Sequence, residues 1–242
     1  MRALFIQQDH VSPVGPIGER FAQRGFDVVE MGVVPEDRFH QPDVEVDFPD
    51  PTAFDVIVPM GAPWSVYDDD TIGTWIDAEI AMLRKAHDSG VPILGICFGG
   101  QGLASALGGS VEKAPVPEHG WMSIDTSAPD LIEAGPWFEY HSDRWITPPG
   151  AVVLAATPLA TQAFALGRSL AVQFHPELIV SMLQGWYDNG GADHFIHHGV
   201  DPDAVMAATR REESASIARA HRLVDRFLDQ VATSPPVAAA NA

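Results

Sequence analysis

An apolar strand runs directly into a small-residue helix in the stretch Val91-Pro-Ile-Leu-Gly-Ile-Cys-Phe-Gly-Gly-Gln-Gly-Leu-Ala-Ser-Ala-Leu-Gly-Gly109. Cys97, the one cysteine of these 242 residues, lies where the strand ends and the helix begins. A side chain on such a tight turn is pushed into the open, and the unpaired N–H groups of the first helical turn point at whatever it attacks. The same helix end favours a thiolate over a thiol. The stretch therefore predicts a nucleophile at Cys97.

The glycines around Cys97 separate this interpretation from the alternative of an inert, buried thiol. Free cysteine is among the most buried residue types, so a place after a strand does not by itself indicate chemistry. Glycines stand at positions 95, 99, 100 and 102. They favour the nucleophile, because a sharp turn needs residues that adopt unusual backbone angles and a substrate needs bare backbone to lie against. We expect these glycines to supply both.

A base for the thiol is predicted in the segment Ser169-Leu-Ala-Val-Gln-Phe-His-Pro-Glu177, which has the pattern of a strand with His175 at its end. Side chains two residues apart in an extended chain point to the same side, so His175 and Glu177 can face one way together. One imidazole nitrogen can then take the thiol proton while the other donates to the Glu177 carboxylate. An isolated His-Pro-Glu is more typical of a surface turn with a solvated glutamate, but a cysteine on another strand end favours the catalytic pair.

These two segments resemble the signatures of class I (triad-type) glutamine amidotransferases. Gly95-Ile-Cys-Phe-Gly-Gly-Gln101 is similar to the family's Gly-x-Cys-x-Gly-x-Gln, and residues 174–177 are its Phe-His-Pro-Glu. The resemblance runs from Met1 to about Phe227 and is closest to stand-alone members related to the glutaminase domain of GMP synthetase. Three further segments resemble the oxyanion loop, the Glu-x-Gly-Trp motif and the Trp-His-Gly-Asp motif of the family: Met60-Gly-Ala-Pro-Trp-Ser-Val-Tyr-Asp-Asp69, Glu118-His-Gly-Trp121 and Tyr140-His-Ser-Asp143.

The resemblance implies a role for each matching residue. Two departures from the family pattern bear on those roles: Ala62 stands where the second glycine of the oxyanion loop is usual, and Ser142 replaces a glycine. An alanine is penalised if the loop must adopt a positive backbone angle. The implied catalytic residues are Cys97 as nucleophile, His175 as general acid and base and Glu177 as its orienting carboxylate. The implied oxyanion hole is formed by backbone N–H groups at Gly61, Ala62 and Phe98, and the implied substrate-binding residues are Gln101, His141, Ser142 and Asp143.

Three functions are consistent with these residues. The first is a glutaminase that hydrolyses the side-chain amide of glutamine through a γ-glutamyl thioester and releases ammonia for a separate synthetase. The second is a stand-alone hydrolase of γ-glutamyl amines or peptides, and the third is a regulatory or binding protein with an unproductive triad. The chain has no Gly-x-x-x-x-Gly-Lys-Ser fingerprint, so we expect it to activate no acceptor itself. No cofactor is expected.

Composition narrows the partners. The formal charge of -19 comes from 33 acidic against 14 basic residues. An acidic surface repels phosphate backbones and anionic lipid, so we expect no nucleic-acid and no membrane partner. The start of the chain turns polar after a few apolar residues, so we expect no signal peptide. A single cysteine suits a reducing compartment, and we expect a cytoplasmic protein.

His194, His197 and His198 have a spacing that could gather metal ligands, but their glycine-rich surroundings favour solvated or crevice-lining histidines, and no metal is expected.

The order of apolar runs predicts the architecture. Short strands alternate with helical patterns, which is typical of βαβ units and a mostly parallel sheet. With the resemblance, we expect an α/β fold: a flavodoxin-like open sheet with helices on both faces and a small antiparallel extension after residue 110. Residues 1–231 should form a single domain whose part 178–231 is helical, with Asp201 and Pro202 starting a helix, and residues 232–242 should be a disordered tail. The predicted strands are 3–7, 27–31, 54–59, 91–96, 152–156, 162–166 and 169–174, and the predicted helices are 14–24, 72–89 capped by Thr71, and 101–107.

Overall fold

The fold is known from a computed structural model, which describes residues 1–235. Each predicted strand is present, with ends that differ by at most two residues. Three more strands occupy the region after residue 110, where we expected the antiparallel extension. In chain order the strands are β1 (Arg2–Gln7), β2 (Asp27–Gly32), β3 (Val56–Pro59), β4 (Ile93–Ile96), β5 (Ser110–Met122), β6 (Asp125–Thr126), β7 (Trp137–Ile146), β8 (Val152–Ala156), β9 (Thr161–Leu166) and β10 (Ser169–Val172).

The main sheet has eight strands in the order β2-β1-β3-β4-β10-β9-β8-β6. The first five of these pair in parallel, and β9, β8 and β6 extend the sheet with antiparallel pairings. Strands β5 and β7 form a separate antiparallel ribbon. The prediction of an open, mostly parallel α/β sheet with an antiparallel extension is confirmed.

Helices cover both faces of the sheet. The second predicted helix begins later than expected: it starts at Ile76, and a separate turn of helix spans Asp69–Ile72. Thr71 therefore lies inside that short helix and does not cap the long one, because a non-helical turn at residues 73–75 separates the two. The helices are α1 (Gly15–Gln23), α2 (Asp69–Ile72), α3 (Ile76–Asp88), α4 (Phe98–Ala106), α5 (Val180–Trp186), α6 (Ala192–His197) and α7 (Pro202–Arg226).

Strand β1 shows how the sequence fills two cores. Side chains alternate across a sheet, so Ala3 and Phe5 point to one face and Leu4 and Ile6 to the other. The first pair packs in the cluster that contains α1 and α7, and the second in the cluster that contains α3 and α4. All four are at most 1% exposed. A strand buried on both faces reads as a continuous apolar run, as expected for parallel sheets covered by helices.

The carboxyl ends of β4 and β10 lie side by side. The two strands pair in parallel with Ile96 opposite Val172, and the Cys97 N–H donates to the Val172 carbonyl at 2.8 Å. The residues that follow each strand therefore emerge at the same edge of the sheet, where open α/β sheets bind ligands. The His175 N–H donates to the Phe138 carbonyl of β7 at 2.8 Å, so the ribbon lies against this edge.

The C-terminal part packs on the first helix. The predicted start of α7 is confirmed, because Asp201 accepts a hydrogen bond from the Asp203 N–H at 3.0 Å and Pro202 is the first helical residue. Arg20 of α1 and Arg24, the residue directly after that helix, both bind the Asp225 carboxylate at 2.7 Å. Residues 232–233 form a turn, and the part of the predicted tail from 236 to 242 lies outside the described residues. None of the described helices has the length and apolar content needed to cross a membrane.

Candidate active site

Cys97 has a strained backbone. Its φ is 50° and its ψ is -111°, and it is the only non-glycine residue with a positive φ in the described part of the chain. Such a conformation costs on the order of 1–3 kcal/mol outside glycine, and strain of this kind collects at functional sites. The expectation that the neighbouring glycines supply the unusual angle is wrong. The turn between β4 and α4 places it on Cys97 itself.

The glycines around Cys97 serve close packing. A Cβ on Gly99 would lie 2.1 Å from the Pro59 carbonyl oxygen, and one on Gly95 would lie 2.8 Å from the Gly100 Cα. Helix α4 can therefore sit directly on β3 and β4, backbone against backbone. This contact brings the first turn of the helix, and its N–H groups, to the edge of the sheet.

His175 and Glu177 form the pair that the sequence predicts. The His175 Nδ1 lies 2.7 Å from the Glu177 Oε1, and both side chains are buried. The His175 Nε2 is also buried and has no hydrogen-bond partner within residues 1–235. Because a carboxylate can only accept, Nδ1 carries the proton in this contact. Nε2 is left as the nitrogen that can exchange a proton with the site.

The imidazole and the cysteine converge over Gly61. A Cβ on Gly61 would lie 2.9 Å from the His175 Cε1 and 3.8 Å from the Cys97 Cβ, so this loop position has no room for a side chain. Burial disfavours the charged imidazole, but the neighbouring Cys97 sulfur and the Glu177 carboxylate together raise the pKa of His175 well above its ordinary value of 6.5. The arrangement favours the imidazolium form of His175.

Backbone donors are available where the oxyanion hole is expected. Within residues 1–235, the amide N–H groups of Gly61, Ala62 and Phe98 donate to no protein acceptor. The Gly99 N–H donates to the Met60 carbonyl at 3.0 Å, which ties the loop to the start of α4. Ala62 does not have a positive φ. The loop conformation described here therefore accommodates alanine without the strain that the sequence suggested.

One cavity of about 800 Å³ contains most of the predicted site. Cys97 and His175 lie in its lining, and Glu177 is buried behind them. The β5–β7 ribbon forms one side of the cavity, and the outer wall carries Trp64. The Trp186 ring packs edge-on against the His175 imidazole, with ring centroids 5.0 Å apart. The other predicted site residues in the lining are Gly61, Ala62, Phe98, Gln101, His141, Ser142 and Asp143.

Asp143 closes the oxyanion loop onto the ribbon. The Ser65 hydroxyl donates to its Oδ2 at 2.5 Å, and the Tyr67 hydroxyl donates to its Oδ1 at 2.7 Å. Both carboxylate oxygens thus have a protein partner. Asp143 lines the cavity, but its contacts hold the loop that carries Gly61 and Ala62.

His141 is held in a buried acidic cluster. Its Nδ1 donates to the Asp143 carbonyl at 2.9 Å, and its Nε2 lies 3.4 Å from Glu118 and 3.3 Å from Glu139. Burial disfavours the charged ring, yet the two glutamates raise the pKa of His141 to about 10. Both nitrogens therefore face protein groups, and the ring is held in the imidazolium form. Ser142 Oγ is buried with no partner among the described side chains.

The histidines in and directly after α6 lie together at one wall of the cavity. His194, His197 and His198 line the wall, and the His194 Nε2 lies 3.3 Å from the His119 Nε2. Burial and the adjacent histidines lower the pKa of His119 to about 4, so its ring is neutral near pH 7. Over residues 1–235, no group of three or more His, Cys, Asp or Glu side chains could hold a metal ion.

The family profile of the class-I glutamine amidotransferases matches residues 20–186, which is more than half of the chain and includes Cys97 and His175. The chain belongs to this family. A glutamine-hydrolysing GMP synthase of Methylobacillus flagellatus is 32% identical over 179 residues, which cover 64% of this chain and 32% of the relative. One from Stenotrophomonas maltophilia is 32% identical over 143 residues, 53% of this chain and 27% of the relative. The chain thus spans about a third or less of these relatives.

Solved structures share the fold of this class I amidotransferase. A glutamine amidotransferase from Thermotoga maritima superimposes with a TM-score of 0.79 at 21% identity, covering 95% of this chain and 99% of the other. A glutamine amidotransferase from Methylobacillus flagellatus gives a TM-score of 0.79 at 24% identity, covering 95% of both chains. At this identity the likeness concerns the fold.

Two sets of residues in this amidotransferase site were not predicted as functional from the sequence. Ser65 and Tyr67 lie in the second half of the oxyanion-loop segment, and their hydroxyls reach Asp143 only because the ribbon folds back over the sheet edge. Gln173 immediately precedes the Phe-His-Pro-Glu segment, two residues before His175, and its carboxamide reaches the Cys97 sulfur. Its place two residues before His175, hence on the same side of an extended chain, was the available signal.

Proposed function

We propose that this protein hydrolyses the side-chain amide of glutamine through a γ-glutamyl thioester on Cys97 and releases ammonia for a separate acceptor enzyme. The observation that supports it most is the His175–Glu177 contact of 2.7 Å, in a ring that adjoins the strained Cys97 and whose Nε2 has no partner within residues 1–235. This geometry resembles the nucleophile–base–orienter constellation of triad hydrolases.

The proposed reaction has two halves. The Cys97 thiolate attacks the amide carbon, the oxyanion accepts N–H donors from Phe98 and the Gly61–Ala62 loop, and the His175 imidazolium gives its proton to the departing nitrogen, which leaves as ammonia. Neutral His175 then takes a proton from water as the water attacks the thioester carbon. The C–S bond then breaks and glutamate departs, which leaves the Cys97 thiolate beside the His175 imidazolium that holds the proton from water. Each oxyanion donor contributes on the order of 3 kcal/mol in comparable enzymes.

A glutamine analogue that carries a diazo-ketone tests the nucleophile directly. Intact-mass spectrometry should show one adduct per chain on the folded wild type and none on Cys97→Ser, and the adduct should abolish ammonia release. Because the chain has a single cysteine, the adduct identifies the residue without digestion. A folded protein that releases no ammonia and takes up no label would instead support the regulatory or binding function.

A stand-alone γ-glutamyl hydrolase is the second candidate, and the size of the cavity favours it. About 800 Å³ exceeds what glutamine alone occupies, and the aromatic and histidine-lined outer wall could receive a larger amine. The test compares the kcat/KM of the isolated protein for γ-glutamyl amines and peptides with its kcat/KM for glutamine. A kcat/KM above about 10⁴ M⁻¹s⁻¹ for a γ-glutamyl amine in the isolated protein would decide for the hydrolase. Weak glutamine hydrolysis raised at least about tenfold by an added synthetase would decide for the amidotransferase.

The remaining parts of the proposal concern context. We infer that residues 1–231 act as one domain, since α7 packs on α1 through Asp225 and the two core clusters share one sheet. The single cysteine fits a reducing compartment such as the cytoplasm. Limited proteolysis tests the domain: one protected fragment that ends near residue 231 is expected, and a stable cut near residue 178 would divide it.

A further inference from the structure

The Cys97 sulfur has a second polar neighbour besides the histidine. The Gln173 Nε2 lies 3.7 Å from the Cys97 Sγ, within hydrogen-bonding range for sulfur. Gln173 is fully buried and Cys97 is 4% exposed. Little water reaches this sulfur. A negative charge on it must therefore be stabilised by hydrogen-bond donors that the protein supplies.

The direction of this contact follows from its neighbours. The Asp143 backbone carbonyl can only accept, so the Gln101 group that lies 3.3 Å from it is the NH₂. The same NH₂ lies 3.3 Å from Gln173, so the Gln173 atom that faces it is the carbonyl oxygen. The other end of the Gln173 carboxamide, which faces Cys97, is then the N–H donor. Each amide orientation in the series is fixed by the one before it.

The backbone holds the pair together. Cys97 follows β4 and Gln173 follows β10, at neighbouring positions of a parallel pairing. The Cys97 N–H donates to the Val172 carbonyl at 2.8 Å, and the Gln173 N–H donates to the Gln162 carbonyl at 2.9 Å. Both side chains thus start from anchored backbone, and the contact does not depend on a mobile loop.

We propose that Gln173 is a positioning residue for the Cys97 thiolate, which it stabilises through its carboxamide N–H, while Gln101 fixes the orientation of that carboxamide. A donor to an anion makes a stronger bond than a donor to the neutral thiol, so the contact favours the thiolate over the thiol. It also restrains the sulfur, on a side chain whose backbone is already strained. The inference rests on the proposed role of Cys97 as nucleophile.

The single cysteine provides a direct readout. Thiolate absorbs near 240 nm where thiol does not, so the difference between each protein and its Cys97→Ser counterpart reports on this one sulfur. The key variants are Gln173→Leu, which removes the donor, and Gln173→Glu, which keeps the shape but turns an acceptor toward the sulfur. Gln8→Leu is the matched control, because Gln8 is also fully buried and its Nε2 donates to Glu79 at 2.8 Å and not to sulfur.

Gln173→Leu should need a pH higher by at least about half a unit to form half of its thiolate, Gln173→Glu should shift further, and Gln8→Leu should match the wild type. Iodoacetamide alkylation at pH 7 should slow in the same order, and kcat should fall more than KM rises. If Gln173→Leu does not fold by circular dichroism, Gln173→Glu, which has the same volume, decides alone. Thiolate titrations that coincide with the wild type in the folded variants would overturn the proposal. A wild type without hydrolytic activity would overturn the proposed function and leave the thiolate comparison valid.

Discussion

Replacing Glu79 by Gln should remove a pH-dependent loss of stability. Glu79 lies on α3 with its side chain fully buried, and its Oε1 accepts a hydrogen bond from the Gln8 Nε2 at 2.8 Å. Its Oε2 has no partner within residues 1–235. Burial, opposed only by that one hydrogen bond, raises the pKa of Glu79 from 4.5 to about 7. The folded protein therefore holds a proton on Glu79 that the unfolded chain releases near pH 4.5.

The sign and size of the effect follow from linkage. The contribution of neutral Glu79 to the free energy of unfolding is fully present below about pH 4.5. It is lost as the pH rises toward 7, because in that range Glu79 ionises in the unfolded chain and stays protonated in the folded protein. Between pH 5 and pH 8 the loss amounts to about 2.5 kcal/mol, at 1.36 kcal/mol per tenfold difference in proton affinity. Glu79→Gln cannot ionise, and its amide oxygen can still accept from Gln8. The free energy of unfolding of the variant relative to the wild type should thus rise by about 2.5 kcal/mol from pH 5 to pH 8.

Urea unfolding at pH 5, 6, 7 and 8 measures this difference, with tryptophan fluorescence and circular dichroism as two probes of the same transition. In thermal unfolding, the Tm of the variant minus the Tm of the wild type should be about 5–10 °C larger at pH 8 than at pH 5. Glu19→Gln, which removes an exposed carboxylate from α1, is the matched control and should follow the wild type. Parallel stability curves for Glu79→Gln and the wild type across this pH range would refute the reasoning.

The remaining predictions concern the site. Glu177→Gln should lower kcat by about 10² or more with the fold intact, and His175→Ala should cost at least as much; near-wild-type turnover of purified Glu177→Gln would take the carboxylate out of the catalytic set. Ala62→Gly should leave the rate of glutamine hydrolysis within about twofold, because the loop accommodates alanine without a positive φ; a clear increase would show that alanine impairs the oxyanion donors. Asp143→Asn should lower kcat/KM by about tenfold, since an amide cannot accept from both loop hydroxyls, and Tyr67→Phe, which removes one of those bonds, should lower it less; equal wild-type values for both would mean that the loop is held by other contacts.

The sequence was sufficient to predict seven of the eight strands of the main sheet and the strand ends that carry the site. Apolar runs alternating with helical patterns predict parallel strands, and such strands bring their carboxyl ends together. Cys97 and His175 could therefore be placed near one another from the ends of two runs. The 2.7 Å contact between His175 and Glu177 follows from a spacing of two residues in an extended segment, which the sequence shows directly.

What the sequence could not show depends on contacts between distant segments. Gly95 and Gly99 looked like turn residues, but their role is to let α4 touch the sheet, and that needs the position of Pro59. Thr71 has the chemistry of a cap, and only the break at Gly73 shows that the long helix starts later. The contact between Gln173 and the sulfur depends on the register of β4 with β10. Local propensity carries no record of such pairings.

The backbone contact beneath the site has a consequence for how the cavity can change through mutation. A Cβ at Gly99 would lie 2.1 Å from a carbonyl oxygen, so no side-chain rearrangement nearby can make room for one. The backbone floor of the cavity, which carries Cys97, therefore does not tolerate a side chain at this glycine. The outer wall is built from side chains such as Trp64, His194 and His197, which can be exchanged without moving a strand. Random libraries should therefore yield new leaving-group preferences from wall positions and only inactive protein from the floor, so that selection can alter what enters the cavity while the chemistry performed there stays the same.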